Sequence, residues 1–533
     1  MIRASLLAAG SMMLIVASPA VAGPRTSITP YIELGQVLTG NLQTGDVLTY
    51  STASAGVDAV VSTRNIEVQL SYNYQHNFSW DDRYGDDDVN SGLARATVRV
   101  APGLSIEGGA LATRARSDIR GAAPALLVGS QDNVTQIYSA YVGPSVATRV
   151  GAANLKASYR FGYTKVEAPG ATGVAPNSPR LDAFDDSTNH LVQASIGVGP
   201  GQGLPVGLTV SGAYERDDAS QLKQRYEGNF VRGDVLVPVT RSLALTAGAG
   251  YEKITVSQKD PLTDSATGQP VVDANNRFVT DPASPRRIAY ETDGLIYDAG
   301  LVWKPSPRTT LQTRIGKRYG GMTYTGSLSY AASRSIGIQI NVYDSVDTFG
   351  RQLRNGISAL PANFIDQRDA FSQQFSGCTF GQSNIAAGSC LNGVLQSIST
   401  ASYRARGVDA VISANRGPLS FGIGAGYASR KLYAPGGVGF TVDGADDESF
   451  YGQGFASLTL DRNSGISGNL FLNYYQSGLP DAPAVFSTGA TASYYRNFGR
   501  VGTTLTAGLY NFSQEGLDDQ TSGQAQVGVR YSF

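Results

Sequence analysis

Two cysteines, two histidines, two tryptophans and four methionines are all that the 533 residues hold of those types. So few His and Cys leave little material for a zinc site or for histidine-based acid and base chemistry. Charged side chains make up 16% of the chain, against a usual ~25%, and the net charge is −1. Such a balance creates no positive field for nucleic acid. Beyond the first residues no apolar run approaches the ~18 residues of a membrane helix. What the chain does hold is 63 glycines and 28 tyrosines. The glycines lack the triplet period of collagen, and the hydrophobic content is too high for a disordered chain.

The amino terminus reads as a secretory signal. Arg3 precedes a short apolar run from Leu6 to Val16, and Ala20-Val-Ala22 forms a small-x-small cleavage site. Cleavage after Ala22 is expected, with 23–533 as one domain.

Beyond it, period-2 alternation dominates. Ile66-Glu-Val-Gln-Leu-Ser-Tyr-Asn-Tyr74 and Leu155-Lys-Ala-Ser-Tyr-Arg-Phe-Gly-Tyr163 alternate apolar with polar residues. In a strand the two sets face opposite sides. The alternating segments run to about 12–16 residues, where strands of soluble proteins run to about 5–6 and a bilayer needs ~9–11. Ten short connections, among them 62–65, 101–103, 240–242 and 498–500, carry Arg, Gly or Pro. They alternate with eleven other connections, many longer and more acidic, including 118–131, 167–187, 258–290 and 350–398. The expectation is an all-β, antiparallel up-and-down transmembrane barrel of about 22 strands in the cell outer membrane. It has short periplasmic turns and long extracellular loops, among them 258–290 and 350–398. The first strand, Ile28 to Leu34, starts so close to the cleavage site that no amino-terminal plug domain is expected, unlike the TonB-dependent receptors to which 22 strands invite comparison.

The terminal Tyr531-Ser-Phe533 resembles the carboxy-terminal signal read by barrel-insertion machinery, so Tyr531 and Phe533 are candidate assembly residues. The opening Ile28-Thr-Pro-Tyr, the Gly- and Tyr-rich hairpins and the closing Val529-Arg-Tyr-Ser-Phe533 are similar to the outer-membrane β-barrel porins associated with exopolysaccharide and exosortase gene clusters. That resemblance covers the mature chain and implies envelope export or surface-polymer traffic.

Charge on the lipid face costs ~2–4 kcal/mol at mid-membrane. Glu67, Arg95, Arg99, Glu107, Lys156, Arg160 and Arg314 are therefore expected to face the lumen, pairing with one another or setting solute selectivity. Cys378 and Cys390 share the loop 350–398, and in an oxidising compartment a disulfide is expected. His76 and His190 lack a neighbouring nucleophile motif, so no catalytic residue is assigned and the chain is not read as an enzyme. The acidic run Asp81 to Asp88 reads as a solvated loop, without the spacing of a calcium site. No metal or cofactor is implied. Expected partners are outer-membrane lipid and lipopolysaccharide, the insertion machinery and polymer-export components.

The loop 350–398 is rich in Phe, Leu and Ile. Exposing them is unfavourable at ~25 cal/mol per Å², so the loop should fold onto something. The spacing of Leu360, Phe364, Arg368 and Phe371 fits one short helix. Folded into or across the pore mouth this loop would constrict it, with Arg351, Arg354 and Arg368 as a charged filter; the alternative is packing over neighbouring loops outside the pore. The leading function is a passive pore or export conduit for polar solutes or polymer. The rival is a non-conducting structural or surface-binding barrel.

Overall fold

A computed structural model describes residues 25–80, 86–118, 133–168, 181–383, 386–436, 442–479, 482–516 and 518–533. The signal sequence 1–22 and most of the acidic run, 81–85, lie outside these.

Fifteen strands lead off: β1 (Arg25–Asn41), β2 (Val47–Ser62), β3 (Ile66–Ser79), β4 (Asp87–Ala101), β5 (Leu104–Arg116), β6 (Val134–Val150), β7 (Ala153–Val166), β8 (Asp186–Val198), β9 (Gly207–Ala219), β10 (Arg225–Pro238), β11 (Leu243–Gln258), β12 (Arg287–Ser306), β13 (Thr309–Arg318), β14 (Gly321–Ala331) and β15 (Ile336–Asp347). An insert follows, holding helix α1 (Phe349–Ala359), strands β16 (Phe364–Arg368), β17 (Phe375–Ser383) and β18 (Ala386–Cys390), and the single turn α2 (Asn392–Leu395). Seven strands complete the chain: β19 (Ser402–Arg416), β20 (Leu419–Tyr433), β21 (Asp446–Thr459), β22 (Ser464–Gln476), β23 (Val485–Phe498), β24 (Val501–Gln514) and β25 (Gln520–Ser532).

Outside the insert, each strand pairs antiparallel with the next, and β15 pairs with β19 across the insert from Ile336↔Ala414 to Asp347↔Tyr403. β1 pairs with β25, Tyr31 opposite Ser532, so the 22-stranded sheet closes on itself and leaves no edge. The turn and loop positions coincide with those expected from alternation.

Strand by strand, the outward set is apolar and the inward set polar. Leu34, Leu38, Leu245, Leu295, Leu470 and Val529 are exposed on the outside. Gln69, Asn73, Gln75, Gln524 and Gln526 are buried on the inside. Exposed aromatics mark both rims, with Phe78 and Phe450 toward the loops and Trp303, Phe498 and Phe533 toward the turns. A closed ring of even strand number with an apolar outer band and aromatic rims is the form of an outer-membrane barrel. The chain is located in the outer membrane.

At the loop end the barrel is capped by its own connections. Asp182, in the loop before β8, accepts hydrogen bonds from the backbone N–H of Phe278 (2.9 Å) and from Gln221 Nε2 (2.5 Å). Arg277 pairs with Asp185 at 3.1 Å. Tyr290 stacks on Tyr433 at 4.7 Å, bringing β12 toward β20 above the short β13–β14 hairpin.

Burial pushes the Asp182 carboxyl up to about 7, against the hydrogen bonds that would lower it. Its docked value thus exceeds the ~3.9 of a free aspartate. Between about pH 4 and 7 the docked loop holds the extra proton. Docking is strongest below that window and weakens as pH rises through 7. Protection against hydrogen exchange across 258–286, after division by the intrinsic rate at each pH, should fall by up to about tenfold per pH unit in that window, and Asp182→Asn should flatten that dependence. An equal pH response in the variant would exclude Asp182 as its source.

Candidate functional site

The segment 348–401 enters the lumen, the inward of the two placements expected for it, and does not pack over neighbouring loops outside the pore. Thr348 caps α1, its hydroxyl accepting from the Arg351 N–H (3.4 Å) and donating to Asp217 of β9 (2.5 Å). Phe349, Leu353 and Ile357 fall four residues apart on one face and are fully buried. They join Leu93, Leu111, Ile137 and Val166 of the wall in one apolar cluster. Wall glycines make room for the helix: a Cβ on Gly109 would sit 2.8 Å from Ile357 Cγ2.

The expected helix through Leu360, Phe364, Arg368 and Phe371 is corrected. α1 ends at Ala359, and Leu360 is extended, because the following Pro361 disfavours helical geometry there. Phe364–Arg368 is a strand paired with β17. Cys378 and Cys390 are bonded, S–S 2.07 Å, and lie opposite each other on β17 and β18.

The insert touches the wall around most of its circumference. Gln69 of β3 brackets Phe364, accepting its N–H at 2.8 Å and donating to its carbonyl. Gln69 is only the fourth residue from the turn end of β3. With ten residues above it, tilted, the insert reaches on the order of 25 Å below the loop end. Cys378 N–H donates to Gln453 of β21 (3.0 Å), Arg430 of β20 to the Ser397 carbonyl (2.9 Å), and Tyr510 of β24 to Asp369 (2.6 Å).

The tightest joint is electrostatic. Glu215 of β9 is 0% exposed and pairs with Arg351 (2.7 Å) and Arg354 (2.5 Å), each 1% exposed. Arg351 also lies 3.5 Å over the Tyr226 ring of β10. Arg351 and Arg354 therefore do not line water as a charged filter; they fasten the insert to the wall. Arg368 is half-buried and donates to Ser71 of β3 at 2.6 Å.

The seven wall charges fall on the inward set. Arg95 donates to the Ser358 carbonyl of the insert (3.3 Å) and lies 5.5 Å over Tyr141. Arg160 pairs with Glu107 at 3.7 Å. Arg99 reaches the Arg64 carbonyl at the turn end (3.4 Å), and Glu67 sits near it, half-buried. Lys156 borders a cavity at the turn end. Arg314 sits in a square with Arg232, Asp234 and Asp298, its Nη1 2.7 Å from both carboxylates. Arg232, Asp234, Asp298, Glu252 and Glu215 escaped the sequence reading, although Arg232 and Asp234 alternate with Val231 and Val235 as lumen residues should. Above the square, Arg318 pairs with Glu252 and Arg404 with Asp344 at 2.7 Å. These pairs form a charged track up β10–β15 and onto β19. His76 bonds Asp88 at 2.7 Å and His190 bonds Tyr159 at 2.8 Å. Among the described residues no three His, Cys, Asp or Glu converge as a metal site.

No family model matches the chain, and no curated protein does. Solved structures to which it is similar include the ferric-catecholate import receptor Fiu from E. coli K12 in its open form, at 9% identity and TM-score 0.44, covering 96% of this chain and 82% of that one. The siderophore receptor PiuA from Acinetobacter baumannii gives 9% and 0.43 over 94% and 82%. The FrpB iron transporter from Neisseria meningitidis, F5-1 variant, gives 10% and 0.43 over 95% and 81%. The outer-membrane assignment rests on the barrel itself.

Tyr531 and Phe533 lie outward at the turn rim, ring centroids 5.1 Å apart, and the Phe533 N–H donates to the Pro30 carbonyl (3.0 Å). Deleting Phe533 removes the last rim aromatic and a bond across the seam where the barrel closes. The heat-modifiable band on unboiled gels should fall severalfold; an undiminished band would exclude the assembly role.

Proposed function

We propose that the chain is a gated outer-membrane conduit for small polar solutes, held closed by residues 348–401. The observation that carries this is the polar, ion-paired inner wall, filled by a segment that enters from one end of a single hairpin. A wall meant only to hold a core would be lined with apolar side chains, as it is where α1 packs on β4–β7. The β10–β15 side keeps a track of charges instead, with cavities of about 40 and 450 Å³ sharing Arg314. Spaces of this size suit small solutes better than a polymer, and a filled lumen argues against an always-open pore. Planar-bilayer recording tests the reading: the intact chain should be nearly silent, and a chain without the insert should conduct. Equal conductance in both would overturn it.

A non-conducting barrel is the second reading. It is favoured by the apolar cluster that joins α1 to β4–β7, since a permanent plug would share a core with its wall. On that reading the chain without its insert fails to assemble.

A further inference from the structure

Below the insert, at the turn end of β7–β13, lies the cavity of about 450 Å³, bounded by the turns 199–206 and 239–242. None of its described lining residues belongs to the insert. Its volume falls in the range of small-molecule sites. The lining includes Lys156, Arg241, Lys304 and Arg314, and its one carboxylate is Asp234.

The charges do not cancel. Arg232 and Arg314 share Asp234 and Asp298 at 2.7–2.9 Å, a square of two cations and two anions. Among the described residues, neither Lys304 nor Arg241 has a carboxylate partner. Both stand on this cavity, so the space carries excess positive charge. Low-dielectric walls focus such a field and concentrate counter-ions. Val198, Leu236 and Val302 supply an apolar side. Cations on one side and apolar groups on the other suit a small organic molecule bearing several anionic oxygens.

We propose that this vestibule binds a small organic polyanion, a multivalent carboxylate or phosphate compound, and that Lys304 and Arg241 select for it. The inference rests on reading the lumen as a conduit and names the solute class it admits.

Citrate, inorganic phosphate and glucose, titrated calorimetrically into the intact chain in detergent at low salt, provide the test. Citrate should bind with a Kd on the order of 1 mM or tighter, phosphate more weakly, and glucose not at all. Raising the salt to physiological strength should weaken citrate severalfold. Lys304→Gln with Arg241→Gln should weaken it by roughly tenfold or more, two charges being lost, while the gel shift shows the barrel intact. Absent citrate binding, equal binding by the double variant, or glucose binding as tightly as citrate would overturn the proposal. Binding is read on the closed protein, so its failure leaves the gating reading untouched, and silent bilayers leave this site untouched.

Discussion

Replacing residues 349–401 with a short Gly-Ser turn should convert a nearly silent barrel into a steady, wide pore. The splice is geometrically permitted, because Asp347 and Tyr403 are already partners across β15 and β19. A turn of about four residues can join such ends. The 22-stranded ring is closed by β1 and β25, far from the splice, so closure does not depend on the insert. A ring of this size leaves an interior much wider than wall side chains can fill. Conductance should therefore rise at least roughly tenfold over the intact chain. A properly assembled variant, shown by its shift between boiled and unboiled gels, that stays as silent as the intact chain would defeat the gating reading. Should the variant not assemble, the milder change described next carries the same question.

Glu215→Ala should loosen the insert without touching the ring. The substitution leaves Arg354 buried without a carboxylate and Arg351 with only Asp347, 3.2 Å away. Breaking a buried pair from one side costs ~3–5 kcal/mol, and here two guanidiniums lose the same partner. Trypsin should then cut within 348–401 on assembled barrels roughly a hundredfold faster or more, the factor that such a cost implies. Brief openings should appear in bilayer recordings. Replacing Glu215 and Arg354 together by apolar residues of similar size, with Arg351 left on Asp347 at 3.2 Å, should restore much of the protection, since the cost lies in the unpaired charge and not in the lost attraction. Unchanged trypsin resistance in Glu215→Ala would show that the apolar cluster alone holds the insert. Openings without increased cleavage would place the gate elsewhere.

Both experiments act on the part of the protein that its sequence reveals least. Strand positions, turns and the inward placement of Lys156, Arg160 and Arg314 are legible because alternation and turn chemistry are local: a residue's face follows from its neighbours two positions away. The even strand count follows from the same pattern. The insert's apolar content also announced that 350–398 could not stay in water. Its turn toward the barrel mouth was expected on that ground; how deep it goes and which wall residues hold it were not legible. Arg351 and Arg354 read as solvent-facing filter residues because their partner, Glu215, is 136 and 139 residues away. Leu360 to Phe371 kept helical spacing, yet Pro361 and the pairing with β17 made a strand. The sequence alone determined a closed outer-membrane ring with a polar inner face, because period and turn signals act over a few residues. Only the tertiary structure decided that the lumen is filled, which carboxylate holds the filling, and where excess positive charge remains, because those depend on which distant strands a closed ring brings face to face.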